Sequence, residues 1–139
     1  MRNEIDVRPA TIAELAFAGQ DGYITTPILQ RKIAEQEVFV ASLGGELAGY
    51  LRLEHLWSQV PYIALVRVMP PFRRRGVGRA LLHYVCERAR AQGHHTLYSS
   101  STGNEAEPQA WHRHMGFEEC GLIAGINDGV GELFFRKTL

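Results

Sequence analysis

A run of arginines and glycines in the middle of the chain has the spacing of an anion-binding turn. Residues 67 to 90 hold seven arginines and one acid, a local charge of +6 in a chain with 15 basic and 15 acidic side chains. Arg73, Gly76 and Gly78 form the pattern R-x-x-G-x-G just before an amphipathic helix. A helix start has about four unpaired N–H groups, and glycines let an anion approach that backbone closely. The pattern predicts a phosphate-binding turn whose rim includes Arg74, Arg75 and Arg79.

Two other phosphate-binding patterns do not fit this turn. A Walker P-loop needs G-x-x-x-x-G-K-[ST], and no Lys-Ser or Lys-Thr pair follows these glycines. The dinucleotide fingerprint G-x-G-x-x-G requires a third glycine at the position of Leu81. The ligand is therefore expected to be a compact anion held by R-x-x-G-x-G itself.

The composition is that of an ordinary globular protein and argues against several classes. With 139 residues the chain is expected to form one domain over residues 1–139. A formal net charge of zero argues against nucleic-acid binding, and no apolar run approaches the ~20 residues of a membrane helix. Cys86 and Cys120 have no C-x-x-C spacing, which predicts neither a disulfide framework nor a zinc site and favours a reducing cytoplasm.

The elements that must position the turn are predicted strands and helices in the order β-α-α-β-β-β-α-β-α-β-β. Strands are predicted at Ile5–Arg8, Val38–Leu43, Leu47–Trp57, Tyr62–Met69, Thr96–Ser100, Phe117–Ile123 and Leu133–Arg136. Helices are predicted after the capping box Thr11-x-x-Glu14, and at Thr26–Glu35, Gly76–Ala91 and Pro108–Met115. In the strand before the turn, odd- and even-numbered residues are both apolar except at Arg67. We therefore expect this strand to be central in the sheet and covered on both faces. The order predicts a mixed α/β fold.

At this point the chain resembles the GNAT family of N-acetyltransferases. The pattern V-x-P-x-x-R-x-x-G-x-G is met by Val68, Pro70, Arg73, Gly76 and Gly78. The resemblance continues downstream in three features that the family typically carries, Asn104, Trp111-His112 and Gly116-Phe117. The start of the chain, Ile5–Leu15, is also similar in style, so the resemblance covers nearly the whole chain and is strongest from Val66 to Phe117.

The resemblance implies a fold, a co-substrate and its contacts. The fold would be a single α/β domain with a mixed sheet of about six or seven strands flanked by about four helices. The co-substrate would be acetyl-CoA, with its pyrophosphate on the amides of Arg74, Arg75, Gly76, Val77, Gly78 and Arg79 beside Arg73. The pantetheine arm would pair with the strand containing Val66 and Val68. Asn104 would be a further ligand contact or simply a loop or cap residue, and no metal is implied.

The general acid that the family pattern implies is changed in this chain. In the family a Tyr stands four residues before the Gly of Gly-Phe and protonates the departing CoA thiolate, and here that position is His112. A histidine can donate a proton near neutral pH. The alternative is a partly exposed helix histidine that is hydrogen-bonded to the chain. His112 and His114 point to different sides of a helix, so we expect no metal there.

The general base is less clear from the sequence. Many relatives place a Glu in the fourth strand, but Tyr62–Met69 contains no acid. Glu54 and His55, at the end of the third strand, are the candidates. His55 shares a strand face with Leu51, Leu53 and Trp57 and would otherwise be a core residue, while Glu54 shares the face of Tyr50 and Arg52 and would otherwise form an ion pair. A water chain is a third alternative.

The predicted function is transfer of acetyl from acetyl-CoA to a primary amine of a small molecule, or to a protein amino group. The neutral amine would attack the thioester directly in a ternary complex, because Cys86 falls within a helix and Ser99–Ser101 lack an evident base partner. Backbone N–H groups of the fourth strand would hold the oxyanion. The alternative is a non-catalytic acyl-CoA-binding or sensing module. Specificity for the amine would reside in Gly19–Thr26 and Gly125–Gly131. The chain could also form a homodimer.

Overall fold

A computed structural model describes residues 4–139 and contains seven strands and four helices within them. The strands are β1 Ile5–Pro9, β2 Val38–Leu43, β3 Glu46–Leu56, β4 Val60–Val68, β5 Thr96–Thr102, β6 Glu118–Ile123 and β7 Glu132–Thr138. The helices are α1 Leu15–Ala18, α2 Thr26–Ala34, α3 Val77–Ala91 and α4 Ala106–His114. Short 3-10 turns precede α1 at Ile12–Glu14 and follow β4 at Pro70–Phe72.

The strands form one mixed sheet, as the sequence predicted. Their order is β1-β2-β3-β4-β5-β7-β6. The pairs β1–β2, β2–β3, β5–β7 and β6–β7 are antiparallel. β4 and β5 are parallel, with Tyr62 opposite Tyr98 and Ile63 opposite Ser99. The predicted α/β fold with about six or seven strands and about four helices is confirmed.

By contacts the chain divides into two units. The first contains residues up to 53 together with 65–85, and the second contains residues 54–64 together with 86–139. A buried cluster in the first unit joins α1, α2 and the strands β2 and β3 through Ala10, Ala18, Leu29, Ile33, Val38, Val40 and Tyr50. In the second unit β5 alternates strictly between buried and half-buried residues. The prediction of a single domain over residues 1–139 stays a prediction.

Local sequence signals explain the ends of several elements. The capping box forms, because Thr11 N–H donates to Glu14 Oε1 at 2.7 Å and Ala13 N–H donates to Thr11 Oγ1 at 3.3 Å. The hairpin between β2 and β3 turns through two glycines with φ of 60° and 86°, as a two-residue loop requires. In both places the local sequence was sufficient to predict the structure.

Three details of the predicted elements were wrong. The last helix begins at Ala106, so Pro108 lies inside its first turn, where no N–H is needed. Trp57 does not continue the buried face of β3, because the strand ends at Leu56 and Trp57 takes a left-handed φ of 52° with 86% of its surface exposed. β4 is not covered on both faces throughout, since Ala64 and the charged Arg67 are exposed.

Candidate functional site

The turn after β4 is fastened by backbone and side-chain hydrogen bonds of the first unit. Met69 N–H donates to Ala48 O at 2.8 Å, and Phe72 N–H donates to Met69 O at 2.9 Å. Arg73 Nε donates to Val68 O at 3.1 Å. Arg73 therefore supports the turn through its Nε, while the side chain as a whole is exposed.

The backbone of the turn has the alternating handedness of an anion-binding nest. Arg74 has a φ of 61° and Gly76 a φ of 86°, while Arg75 between them keeps a negative φ. Such alternation directs successive N–H groups into one concavity. Ala80 N–H donates to Gly76 O at 2.9 Å, so the amides of Val77, Gly78 and Arg79 precede the first helical hydrogen bond of α3. This backbone geometry is compatible with a bound phosphate, and phosphate binding stays a prediction.

The sequence analysis missed a glycine that positions this helix start. A Cβ on Gly49 would lie 2.7 Å from Arg67 O and 3.1 Å from Val77 Cγ1. Only a glycine in β3 therefore allows β4 and the beginning of α3 to approach this closely. The signal was present, because a glycine inside a strand often marks such a close approach, but no partner could be named from the sequence.

The residues predicted to bind the co-substrate fall in different units. Val66, Val68 and residues 73–79 belong to the first unit. Val66 and Val68 are half-buried, and the arginines at 73, 74, 75 and 79 are exposed. Asn104 belongs to the second unit, where it is exposed in the turn between β5 and α4. Contact of each of these residues with acetyl-CoA stays a prediction.

A buried ion pair holds the loop after α1, which was one of the two segments expected to determine specificity. Arg52 donates to Asp21 through two nitrogens, at 2.6 and 2.8 Å, and to Ala18 O at 2.8 Å. Tyr50 OH donates to Asp21 Oδ1 at 2.8 Å. Burial alone would raise the pKa of Asp21, but the hydrogen bonds from Arg52 and Tyr50 lower it well below its usual range. Arg52 thus pairs with Asp21, a partner that the sequence analysis did not predict.

His112 lies in the interior of the second unit, with only 4% of its surface exposed. Its Nδ1 lies 2.7 Å from Pro108 O, and its Nε2 lies 2.7 Å from Ser99 Oγ. The ring stacks on Phe135 with centroids 4.5 Å apart and an interplanar angle of 1°. The alternative of a partly exposed helix histidine is therefore wrong about exposure and right about the hydrogen bond to the chain.

The hydrogen bonds of His112 assign its tautomer. A carbonyl can only accept, so Nδ1 carries the proton toward Pro108 O, and the neutral ring then accepts at Nε2 from the Ser99 hydroxyl. Burial, opposed by the bond to Pro108, lowers the pKa of His112, which keeps the ring neutral. The expectation that Ser99 lacks a base partner is wrong, because the packing of α4 on β5 supplies one. Ser99 is only 2% exposed, which keeps its hydroxyl away from solvent.

A second polar chain lies on the opposite face of β5. Tyr62 OH and Ser100 Oγ are 2.5 Å apart, and Ser100 Oγ donates to Glu132 Oε2 at 2.6 Å. Tyr62 also stacks on Phe134 with centroids 5.6 Å apart. Glu54 is exposed, and its charge acts on Tyr62, whereas His55 is half-buried. The roles of Glu54 and His55 as bases stay predictions. The sequence analysis expected Ser100 to lack a base partner, which is wrong because Glu132 accepts from it, and it did not single out Tyr62 or Glu132.

Comparison with known proteins decides the family. Residues 10–117 match the family model described as the acetyltransferase (GNAT) family. The chain belongs to the GNAT family. Among residues 4–139, no helix is long and apolar enough to cross a membrane, and no three His, Cys, Asp or Glu side chains group as metal ligands.

Two curated relatives are similar in sequence to this GNAT chain. It is 33% identical over 99 residues to streptothricin acetyltransferase of Streptomyces lavendulae, covering 70% of this chain and 52% of that enzyme. It is 39% identical over 64 residues to L-methionine sulfoximine/L-methionine sulfone acetyltransferase of Pseudomonas aeruginosa PAO1, covering 46% of this chain and 35% of that enzyme. The chain thus spans about half and about a third of their lengths.

The fold is shared with N-acetylglutamate synthase of Neisseria gonorrhoeae, whose crystal structure is complexed with coenzyme A and N-acetyl-glutamate. The TM-score is 0.79 at 20% identity, and the match covers 100% of this chain and 36% of that chain. At this identity the likeness concerns the fold alone.

Proposed function

We propose that this GNAT chain transfers acetyl from acetyl-CoA to a primary amine. The observation that carries the proposal is the nest at residues 73–79, where alternating backbone handedness, the first-turn amides of α3 and four arginines meet. A pyrophosphate satisfies both the unpaired N–H groups and the local positive charge. The relatives named as acetyltransferases support the same reaction.

In the proposed reaction the neutral amine attacks the thioester carbonyl directly. A C–N bond forms, the C–S bond breaks, and the sulfur leaves as a thiolate that takes up a proton. Backbone N–H groups of β4 near Val66 and Val68 would stabilise the oxyanion, a contribution of about 3 kcal/mol for a comparable donor. Ser99 does not serve as an acyl carrier in this scheme, because its hydroxyl is buried against His112.

The acceptor we propose is a small molecule. Streptothricin, L-methionine sulfoximine and L-methionine sulfone name the substrates of the two curated relatives, and the matched segments cover 70% and 46% of this chain. Transfer to a protein amino group uses the same co-substrate site. A peptide panel with free N-terminal amines separates this outcome from small-molecule transfer.

The test is release of CoA thiol from acetyl-CoA by the full chain, with streptothricin, L-methionine sulfone, L-glutamate and N-terminal peptides as acceptors. We expect thiol release with at least one amine and an acetylated product of matching mass. Thiol release without acetylated product, or no release with any acceptor, would contradict transfer.

Binding of acetyl-CoA is tested separately by calorimetry. Arg73→Ala should weaken binding about 10- to 150-fold, since a charge-assisted hydrogen bond contributes about 1.5–3 kcal/mol. Gly78→Val should weaken binding by blocking approach to the amides of α3. Arg90→Ala is the matched control, because it removes an arginine of the same helix whose partner is the exposed Glu87. Equal affinity in all four proteins would overturn the phosphate site.

The second candidate function is acyl-CoA binding without catalysis. The observation that favours it is His112, because this neutral ring has its proton on Nδ1, bonded to Pro108 O, and accepts at Nε2. His112 as proton donor to the thiolate stays a prediction and requires a second proton on a buried ring. Tight acetyl-CoA binding with no thiol release across the acceptor panel would favour this function over transfer.

A further inference from the structure

A chain of three side chains in the second unit has a fixed hydrogen-bond direction. Ser100 has one hydroxyl proton, which it donates to Glu132 Oε2 at 2.6 Å. Its 2.5 Å contact with Tyr62 must then have the Tyr62 hydroxyl as donor. Asn127 Nδ2 donates to the other oxygen, Glu132 Oε1, at 2.6 Å. Every proton in the chain therefore points toward Glu132, and the phenol oxygen of Tyr62 still has an accepting lone pair.

The carboxylate at the end of this chain has only neutral donors. Within residues 4–139, Glu132 accepts hydrogen bonds from Ser100 and Asn127 and forms no ion pair. Glu132 is half-buried, where a charge without a counterion is costly. The approach of a cation would relieve this cost.

The charged groups around Tyr62 favour a cationic ligand. Glu54 from the end of β3 and Glu132 from β7 both act on Tyr62. Arg136, on the same face of β7, is bound by Glu118 of β6 at 3.0 Å. Burial is the main reason that the pKa of Tyr62 is raised, and the two carboxylates raise it further against the hydrogen bond to Ser100. Tyr62 therefore stays a neutral phenol that can pass a proton on without holding a negative charge.

We propose that Tyr62, Ser100 and Glu132 are a proton relay that deprotonates the acceptor ammonium, with Glu132 as the terminal base. The inference rests on the proposed function and adds the base that the sequence left undecided. The ammonium gives one proton to Tyr62 Oη as the Tyr62 proton passes to Ser100 Oγ and the Ser100 proton passes to Glu132 Oε2. The products are a neutral amine, ready to attack, and a protonated Glu132, so charge and protons balance.

The test compares variants by kcat/KM against pH, with the most active acceptor of the panel. Glu132→Gln keeps the shape but donates to Ser100 instead of accepting, so we expect kcat/KM at pH 7 to fall by about 10²- to 10⁴-fold. Tyr62→Phe keeps the stack on Phe134, and Ser100→Ala removes the middle residue of the relay. We expect kcat/KM of both variants to fall by a similar factor. The deficit should shrink as pH passes the acceptor's own pKa, about 8 for an α-amino group, because solvent then supplies the neutral amine.

Matched variants separate a relay from a structural effect. Tyr98→Phe removes a phenol from the same face of β5 and should leave the pH profile unchanged. Ser100→Thr keeps the hydroxyl and should recover most of the activity. The double variant Ser100→Ala/Glu132→Gln should have the same kcat/KM as the single variants, because either substitution alone already interrupts proton transfer along the relay. Thermal melts verify that each variant is folded.

The outcomes are distinguishable. Wild-type activity with unchanged profiles in Glu132→Gln and Ser100→Ala overturns the relay and leaves the proposed function standing. A loss in Tyr62→Phe alone also overturns it, since the tyrosine would then act without its partners. A wild-type chain that acetylates no acceptor overturns the proposed function, and the relay with it.

Discussion

Two polar clusters, one in each unit, each contain a tyrosine and a carboxylate, but only one of the two carboxylates has a positively charged partner. In the first unit Asp21 accepts from Tyr50 and from two nitrogens of Arg52, and the pair is almost fully buried. In the second unit Glu132 accepts from Ser100 and Asn127, both neutral, and is half-buried. The first cluster neutralises its own charge, whereas the second retains a carboxylate that no cation of the described chain balances.

This difference separates a structural cluster from a reactive one. A buried pair with every lone pair occupied fixes the loop that follows α1 and leaves no acceptor for a ligand. The half-buried Glu132 carboxylate accepts only from neutral donors, and one of them, the Ser100 hydroxyl, connects it to the phenol of Tyr62. The satisfied cluster should therefore govern stability, and the uncompensated one should govern catalysis.

The largest stability effect is expected at the buried pair. Asp21→Asn leaves the Arg52 guanidinium buried without its counter-charge, and such a loss costs about 3–5 kcal/mol. Urea unfolding at pH 7 measures it. The double variant Asp21→Asn/Arg52→Met should lose about 0.5–3 kcal/mol less than the sum of the single variants, because the two groups are coupled. Strict additivity would show that the pair does not anchor the loop.

An intermediate effect is expected at His112. His112→Phe keeps the stack on Phe135 but leaves the buried Ser99 Oγ without its partner, which costs about 1–3 kcal/mol, and it also removes the side-chain bond to Pro108 O. If His112 is instead the general acid, kcat falls by about 10²- to 10⁴-fold. The buried geometry favours the stability effect, and unfolding curves measured beside kcat decide between the two roles.

The same variant gives a pH test with a definite sign. The pKa of His112 is lowered in the folded chain, so the unfolded chain binds the proton first as the pH falls. Wild-type stability contributed by this group is complete above about pH 6.5 and declines below it. In His112→Phe that decline is absent, so the stability gap should narrow between pH 7 and 5. A gap that is constant over this range would contradict a buried neutral imidazole.

The fold was largely predictable because its signals are local. The capping box at Thr11, the glycine pair between β2 and β3 and the pattern from Val68 to Gly78 each act within about ten residues. The errors arose where the surroundings decide, as at Trp57, where a left-handed turn replaces the alternation of the strand. The backbone geometry of residues 73–79 depends on their own sequence in the same way, and phosphate binding there stays a prediction.

The polar clusters were not predictable because their members are far apart in the sequence. Tyr62, Ser100 and Glu132 come from three strands, and they meet because β7 inserts between β5 and β6. The sequence favours pairing of neighbouring strands but does not give this order. Asp21 and Arg52 are likewise joined by packing of the loop after α1 on β3. A polar residue on a strand face indicates a cluster only once its neighbours are known.

The smallest stability effect is expected at Glu132, and it is the sharpest test of the comparison. Glu132→Gln can still accept from Asn127 through its amide oxygen and donate to Ser100 through its amide nitrogen, and it removes a half-buried charge that has no counterion. Urea unfolding at pH 7 should therefore show a change within about 1 kcal/mol of the wild type, well below the loss expected for Asp21→Asn. The change in the free energy of unfolding should also be small for Ser100→Ala, since Glu132 can turn to solvent.

A loss of stability in Glu132→Gln as large as that in Asp21→Asn would mean that the Glu132 carboxylate anchors the β6–β7 loop as Asp21 anchors the loop after α1. Any fall in turnover would then follow from a displaced loop, and the two clusters would be two versions of the same structural device.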